Sequence, residues 1–388
     1  MIKFASRPNL IYILQLILWN VLRKIEKMIM SELFGFSDTA LFSLLMFLGE
    51  FLAGLVIYRY QESFVNKNKK LPNLMSIVLI QGQNIMAHPD PVFKIYILIF
   101  FTAFFDFIEF TLSVSYLAKF YNISGSLESR LSGILTISAA LFFYFLLKLE
   151  IFKHQFFSLL IIGICLILVI LSEFFFQAID IFLSYGKFVG SLVIIFFIHF
   201  FNSLLDSIEK YLFEYDFFNP FKTLMWEGIF GTIITLIYCF IENYFNDLVI
   251  YYKNNSTGNF VGLFFLLFLY IILCGGRNAF RVITNKIYSP MAKTLTDYLL
   301  NPIYNIIDYA RGKDFILGEK SNILYFIINL VLSLIVTICG CVYNEFIVLF
   351  CCKLEYNTHH EISQRASFAM QDIGSSTTGD DDSDDDSL

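Results

Sequence analysis

Gly49-Glu50-Phe51-Leu52-Ala53-Gly54 and Trp226-Glu227-Gly228-Ile229-Phe230-Gly231 each place an acid four residues before a glycine inside an apolar run. A carboxylate in hydrocarbon costs roughly 3 kcal/mol on insertion scales, so it persists only facing protein, water or a partner. Two readings stay open for Glu50 and Glu227. Each is structural glue to a neighbouring helix, or the pair lines a gate or translocation path. The glycine one turn on permits close helix approach or a backbone-lined cavity.

Asp106 and Glu109 are three residues apart and share one helical face. Two close carboxyls in low dielectric cannot both ionise easily, so the pair could carry a proton or attract a cation. The alternative is pairing with Arg23, Lys24 or Arg277. Lys293 and Asp297, spaced i, i+4, could neutralise each other, or Lys293 could contact an anion with Glu128 as its counterpart. Asn301 and Pro302 can open the backbone ladder of that segment, and Gly275-Gly276 can loosen the one before it.

These residues need helices in a membrane to position them. The chain has 388 residues, 57% hydrophobic and 15% charged, with 47 Phe and 22 Tyr, and a mean hydropathy of +0.68. That is too apolar for a water-soluble globular protein, and it makes secreted enzymes, nucleic-acid binders and disulfide scaffolds poor fits. Apolar stretches against polar breaks give ten candidate spans. They are Leu10 to Met30, Ser37 to Tyr60, Val92 to Ala118, Ser126 to Leu149, Phe152 to Phe175, Phe188 to Tyr211, Asn219 to Asn243, Asn259 to Phe280, Pro290 to Ala310 and Asn322 to Cys352. Continuous apolar runs exclude membrane strands, which alternate.

No catalytic constellation is present, so no enzyme, cofactor or metal site is expected. His199 lies within a span with no carboxylate or cysteine at metal spacing and reads as structural. The seven cysteines have no metal-ligand spacing.

From Lys353 onward nine acids stand against Lys353 and Arg365, so the net charge of -6 belongs to an acidic tail, 353–388, expected to be disordered. Ser383 among the acids suits an acidophilic kinase, and Cys351 and Cys352 beside Lys353 could be palmitoylated. With both termini cytoplasmic, sixteen Lys and Arg fall on that side and ten on the other, so both termini are predicted to be cytoplasmic. The glycosylation acceptor sequences beginning at Asn254 and Asn255 then face the opposite side.

Ten spans divide into residues 1–175 and 176–352, five spans each. An odd number per half forces opposite topology, hence two inverted five-helix repeats with a midplane site. The acid-glycine pairs of spans two and seven correspond across the halves. A looser match sets Glu128 opposite Lys293 and Ser132 opposite Asp297.

Met46-Phe47-Leu48-Gly49-Glu50-Phe51, Glu227-Gly228-Ile229-Phe230-Gly231 and Tyr343-Asn344 resemble the F branch of the solute carrier 35 family, within the EamA-like drug/metabolite transporter superfamily, over about Leu10 to Leu349. The resemblance implies ten helices, a central solute cavity and alternating access. The family's Asp in span three looks like Asp106, its Asn in span eight like Asn278, and its basic residue and Asp in span nine like Lys293 and Asp297. The basic residue of span four is Arg130 here, two positions before the family's place at Ser132.

The substrate-cavity candidates are therefore Glu50, Asp106, Glu227, Asn278, Lys293 and Asp297, with Asn20, Glu109, Glu128, Arg130, Tyr343 and Asn344 behind them. The expected function is secondary-active transport of a small polar organic solute of nucleotide-sugar or metabolite type. Candidate partners are the solute, the bilayer, a proton or counter-substrate and a second copy of the chain, with no nucleic acid. The expected location is an endomembrane (Golgi, endoplasmic reticulum or lysosome) or a mitochondrion. The alternatives are a non-transporting membrane scaffold that binds partners through its acidic tail, and a passive channel.

Overall fold

The computed structural model describes residues 2–4, 10–34, 36, 39–67, 91–113, 125–148, 151–181, 185–241, 257–287, 290–310, 323–349, 354, 358 and 361. Within them the chain forms β1 (Ile2–Phe4), α1 (Leu10–Phe34), α2 (Thr39–Lys67), α3 (Val92–Thr111), α4 (Gly125–Arg130), α5 (Gly133–Leu146) and α6 (Lys153–Ile181). Then follow α7 (Tyr185–Glu214), α8 (Pro220–Ile241), α9 (Thr257–Ile287), α10 (Pro290–Ala310), α11 (Ile323–Tyr343) and β2 (Ile347–Leu349). The acidic tail beyond residue 361, the acceptor sequences at Asn254 and Asn255, the membrane-edge cysteines 351 and 352 and the side chain of Asp297 lie outside the described residues.

Burial is inverted relative to a water-soluble fold. Glu50, Glu209 and Glu227 are fully buried, and Asp206, Arg281 and Lys293 are at most 4% exposed. Large apolar side chains instead face outward in helical stripes, such as Ile323, Ile327, Val331, Leu334 and Ile338 on α11 and Val261, Phe264, Phe268 and Ile272 on α9. Only a hydrocarbon solvent favours that arrangement, because helices satisfy their own backbone groups there. Six helices, α2, α6, α7, α8, α9 and α11, have segments long and apolar enough to cross a membrane. The chain is a helical polytopic membrane protein.

Four features depart from the sequence reading. The fourth span is two helices, since the chain tightens at Leu131-Ser132, where Ile134 N donates to Leu131 O at 3.0 Å, a three-residue step. The tenth span stops at Tyr343 rather than Cys352. There Glu345 takes the left-handed conformation, φ 59°, and Phe346 N donates to Cys341 O at 2.9 Å, which closes a Schellman cap. Beyond the cap, β2 pairs antiparallel with β1, Lys3 opposite Val348, so the first residues and the segment after α11 share one end of the bundle.

Pro302 does not open α10. The carbonyl it deprives of a partner, that of Tyr298, accepts from Thr337 Oγ1 of α11 at 2.8 Å instead, and the helix runs on to Ala310. Gly275 and Gly276 do not loosen α9 either. They let neighbours approach: a Cβ on Gly275 would lie 2.7 Å from Gly49 O, and one on Gly276 would lie 2.7 Å from the Trp19 ring.

Two glycines near the repeated acids, Gly54 and Gly228, work the same way. A Cβ on Gly54 would lie 2.6 Å from Met225 N, and one on Gly228 would lie 2.3 Å from Phe51 N. Helices α2 and α8 therefore touch backbone to backbone, and this brings Glu50 and Glu227 into one interior.

Candidate functional site

Two polar assemblies occupy that interior. The first is a cavity of about 370 Å³. Helix α1 contributes Asn20, Arg23, Lys24 and Lys27, whose spacing sets them along one side of the helix. Helix α3 and the turn after it contribute Asp106, Glu109, Phe110 and Ser113, and α4 contributes Glu128. The wall is completed by Met46, Ser132, Leu135, His199, Asn202, Tyr270, Arg277, Leu300 and Asn301.

Local bonds hold several of these groups in place. Ser113 Oγ donates to Glu128 Oε2 at 2.7 Å. His199 Nε2 lies 3.1 Å from the Glu128 carbonyl oxygen, so the histidine joins α7 to α4. Asn301 Nδ2 donates to Ser132 Oγ at 2.9 Å, which ties α10 to the tightened turn between α4 and α5. Arg277 Nε donates to Asn20 Oδ1 at 3.3 Å, and its Nη1 donates to Asn278 Oδ1 at 2.8 Å.

The second assembly is a buried polar chain that continues from the cavity along α7 and α9. Asn202 lines the cavity, and Asp206 and Glu209 follow one and two turns on. Arg277 lines it, and Arg281 and Asn285 follow at the same intervals, some 12 Å along the helix at 1.5 Å per residue. Asn278 Nδ2 donates to Glu50 Oε1 at 2.5 Å. Arg281 Nη2 lies 3.0 Å from Glu227 Oε2 and 3.0 Å from Glu209 Oε1, with Glu50 Oε1 at 3.9 Å.

Asn285 Nδ2 donates to Glu209 Oε2 at 2.5 Å and to Asp206 Oδ1 at 3.2 Å. Lys293 Nζ of α10 then bridges Asp206 Oδ1 and Oδ2 at 2.9 and 2.8 Å and Asn202 Oδ1 at 2.9 Å. Five helices, α2, α7, α8, α9 and α10, are joined through side chains at the end where α7 meets α8 and α9 meets α10. Such pairing is what makes burial of these charges tolerable.

The candidates from sequence thus divide. Asp106, Asn20, Glu109 and Glu128 line the cavity, while Glu50, Glu227, Asn278 and Lys293 belong to the polar chain. Lys293 pairs with Asp206, a residue the sequence reading did not single out. Arg130 is turned away from the cavity: its Nη1 donates to Glu173 Oε1 at 2.8 Å and to Tyr325 Oη, and Tyr325 Oη donates to the same Glu173 oxygen at 2.5 Å. It pins α4 to α6 and α11. Tyr343 and Asn344 form the end of α11, where Asn344 Nδ2 donates to Gly340 O at 2.9 Å.

Arg23, Lys24, Lys27, Arg277 and Arg281 are each assigned to one side of the membrane in the sequence reading of orientation. Helices α1 and α9 place the first four on the cavity wall and Arg281 among the buried ion pairs, so these residues report on the interior and not on sidedness. The missed residues had a signal. Asn202, Asp206 and Glu209, and likewise Asn278, Arg281 and Asn285, recur at helical spacing within otherwise apolar surroundings and mark one polar stripe each.

Among the described residues no cluster of three or more histidines, cysteines or acids could hold a metal ion. No family model matches the chain, and no curated protein matches it.

Proposed function

We propose that the chain is a secondary-active carrier of a small polar organic solute, working by alternating access between two inverted five-helix units. The observation that carries this reading is the cavity. It is charged, lies inside a membrane protein, and is lined from both halves of the sequence, by α1 to α5 and by α7, α9 and α10. Ionisable side chains held within the bilayer mark substrate or ion pathways.

Helix neighbours support the twofold. Exchanging each span with the one five places on turns the contact of α1 with α9 into that of α7 with α3, and α2 with α9 into α8 with α3. It turns α10 with α11 into α5 with α6, and α1 with α10 into α7 with α5, while α2 with α8 and α6 with α11 map onto themselves. All these contacts exist. The self-mapping pair α2 and α8 is the one carrying the repeated acid and glycine, as the resemblance to the solute carrier 35 family leads one to expect.

In this reading the polar chain is the closed gate at one end of the cavity, and opening that end requires Arg281 and Lys293 to release their carboxylates. In the polar chain four carboxyls, Glu50, Asp206, Glu209 and Glu227, share two ion-paired cations, Arg281 and Lys293, while the nearby Lys210 donates to the Asn285 carbonyl and pairs with Glu214. That imbalance makes a proton the coupling ion to test first. Purified full-length protein in liposomes, preloaded with pooled metabolites, is expected to give saturable counterflow that responds to an imposed pH gradient. Absence of flux with every pool would overturn the proposal.

A further inference from the structure

Four charged side chains on the cavity wall, Lys27, Asp106, Glu109 and Arg277, make no ion pair among the described residues. Asp106 is 5% exposed, and its buried Oδ2 accepts no hydrogen bond. Neither Asp106 nor Glu109 has a hydrogen bond or ion pair within the described residues. Lys27 Nζ lies over the rings of Phe42 and Phe110, 5.3 and 5.7 Å from their centroids, and Arg277 meets only the amide oxygens of Asn20 and Asn278. Among the described residues no carboxylate approaches Lys27 or Arg277 within the 4.0 Å of an ion pair.

The signs are segregated. Lys27 and Arg277 stand on α1 and α9, which pack against each other, whereas Asp106 and Glu109 stand on α3, which packs against α7 and α8. A cavity wall that holds four charges outside any ion pair, Asp106 buried and Lys27, Glu109 and Arg277 half-buried, leaves each with a partial desolvation cost that a complementary ligand can offset. A simple anion would satisfy the basic wall and be repelled by α3, and a simple cation would do the reverse. A molecule with both an anionic and a cationic group satisfies both walls. The cavity, about 370 Å³, lies within the range of small-molecule sites and has room for a compact solute.

We infer that this cavity takes a zwitterion of amino-acid size, its anionic group at Lys27 and Arg277 and its ammonium at Asp106 and Glu109; the inference rests on the carrier reading of the same cavity. The aromatic rings beside Lys27 fix where that ammonium stands, and Asn20 and Asn278 orient the Arg277 guanidinium.

The test uses purified full-length protein, read both by thermal shift in detergent and by counterflow in liposomes. Four pools are compared: neutral L-amino acids, primary monoamines of matched size, monocarboxylates of matched size, and nucleotides with nucleotide sugars. The neutral amino acids should stabilise and exchange, with monoamines and monocarboxylates at least about tenfold weaker, the loss expected for one charged hydrogen-bonding group. Equal potency of either single-charge pool overturns the inference, and so does a thermal shift with none of the pools. A response to nucleotides alone overturns it while the carrier reading stands. A selective thermal shift with amino acids but no flux keeps the assignment of the site and removes the carrier reading. The double variant Asp106→Asn with Glu109→Gln should shift preference toward monocarboxylates. The comparison on the unmodified protein decides even where that variant fails to fold.

Discussion

Arg281 Nη2 of α9 lies 3.0 Å from Glu227 Oε2 of α8, both side chains at most 2% exposed. The same nitrogen lies 3.0 Å from Glu209 Oε1 and 3.9 Å from Glu50 Oε1. One guanidinium therefore serves carboxyls from three helices. Arg281→Leu leaves all three without it, and loss of one partner from a buried ion pair costs about 3–5 kcal/mol. The unfolding midpoint of the purified protein in detergent should fall sharply. An unchanged midpoint would mean that the polar chain does not hold the bundle.

Close approach of α2 and α8 makes an opposite demand on two mid-helix glycines. Gly228→Ala puts a methyl 2.3 Å from Phe51 N and 2.8 Å from Phe47 O, backbone atoms that can yield only if the helices separate. That variant should lose folded protein on size-exclusion chromatography. Gly163→Ala meets nothing nearer than 4.0 Å, so it should be neutral or should raise stability by up to about 1 kcal/mol through helix propensity.

Two arginines separate structure from transport. Arg130 ion-pairs with Glu173 at 2.8 Å away from the cavity, so Arg130→Leu should lower the unfolding midpoint and leave the relative order of transported solutes unchanged. Arg277 faces the cavity. Arg277→Leu should raise the half-saturating solute concentration at least about tenfold, with a smaller effect on the midpoint than Arg130→Leu. The paired measurements are thermal unfolding and liposome uptake.

Lys148 closes α5 with φ 52°, in the left-handed region where a Cβ crowds the carbonyl. Its side chain is exposed. Lys148→Gly should raise stability by about 1 kcal/mol, and Lys148→Val should lower it. Thermal unfolding of the two variants beside the unmodified protein checks the sign of each change.

Helical spacing and hydropathy by themselves determined that the chain lies in a membrane as helices. They also required Glu50, Asp106 and Glu227 to face protein, water or a partner rather than lipid, because each statement concerns the cost of one residue in one solvent. The paired acid and glycine of spans two and seven even marked the contact of α2 with α8, since small residues are what helices in lipid need to touch. The partner of each charge was not legible. Lys293 had Asp297 one turn away in sequence, yet its ammonium binds Asp206, 87 positions earlier. Pro302 carried a local signal for a break that Thr337, brought alongside from α11, repairs. Arg130 ends α4 just before the tightened turn at Ser132, and with that break in the span Arg130 meets Glu173 while Ser132 lines the cavity. Pairing energies depend on separations of a few ångströms between helices remote in sequence, so only the packed bundle chose between the arrangements that composition and spacing left equally open.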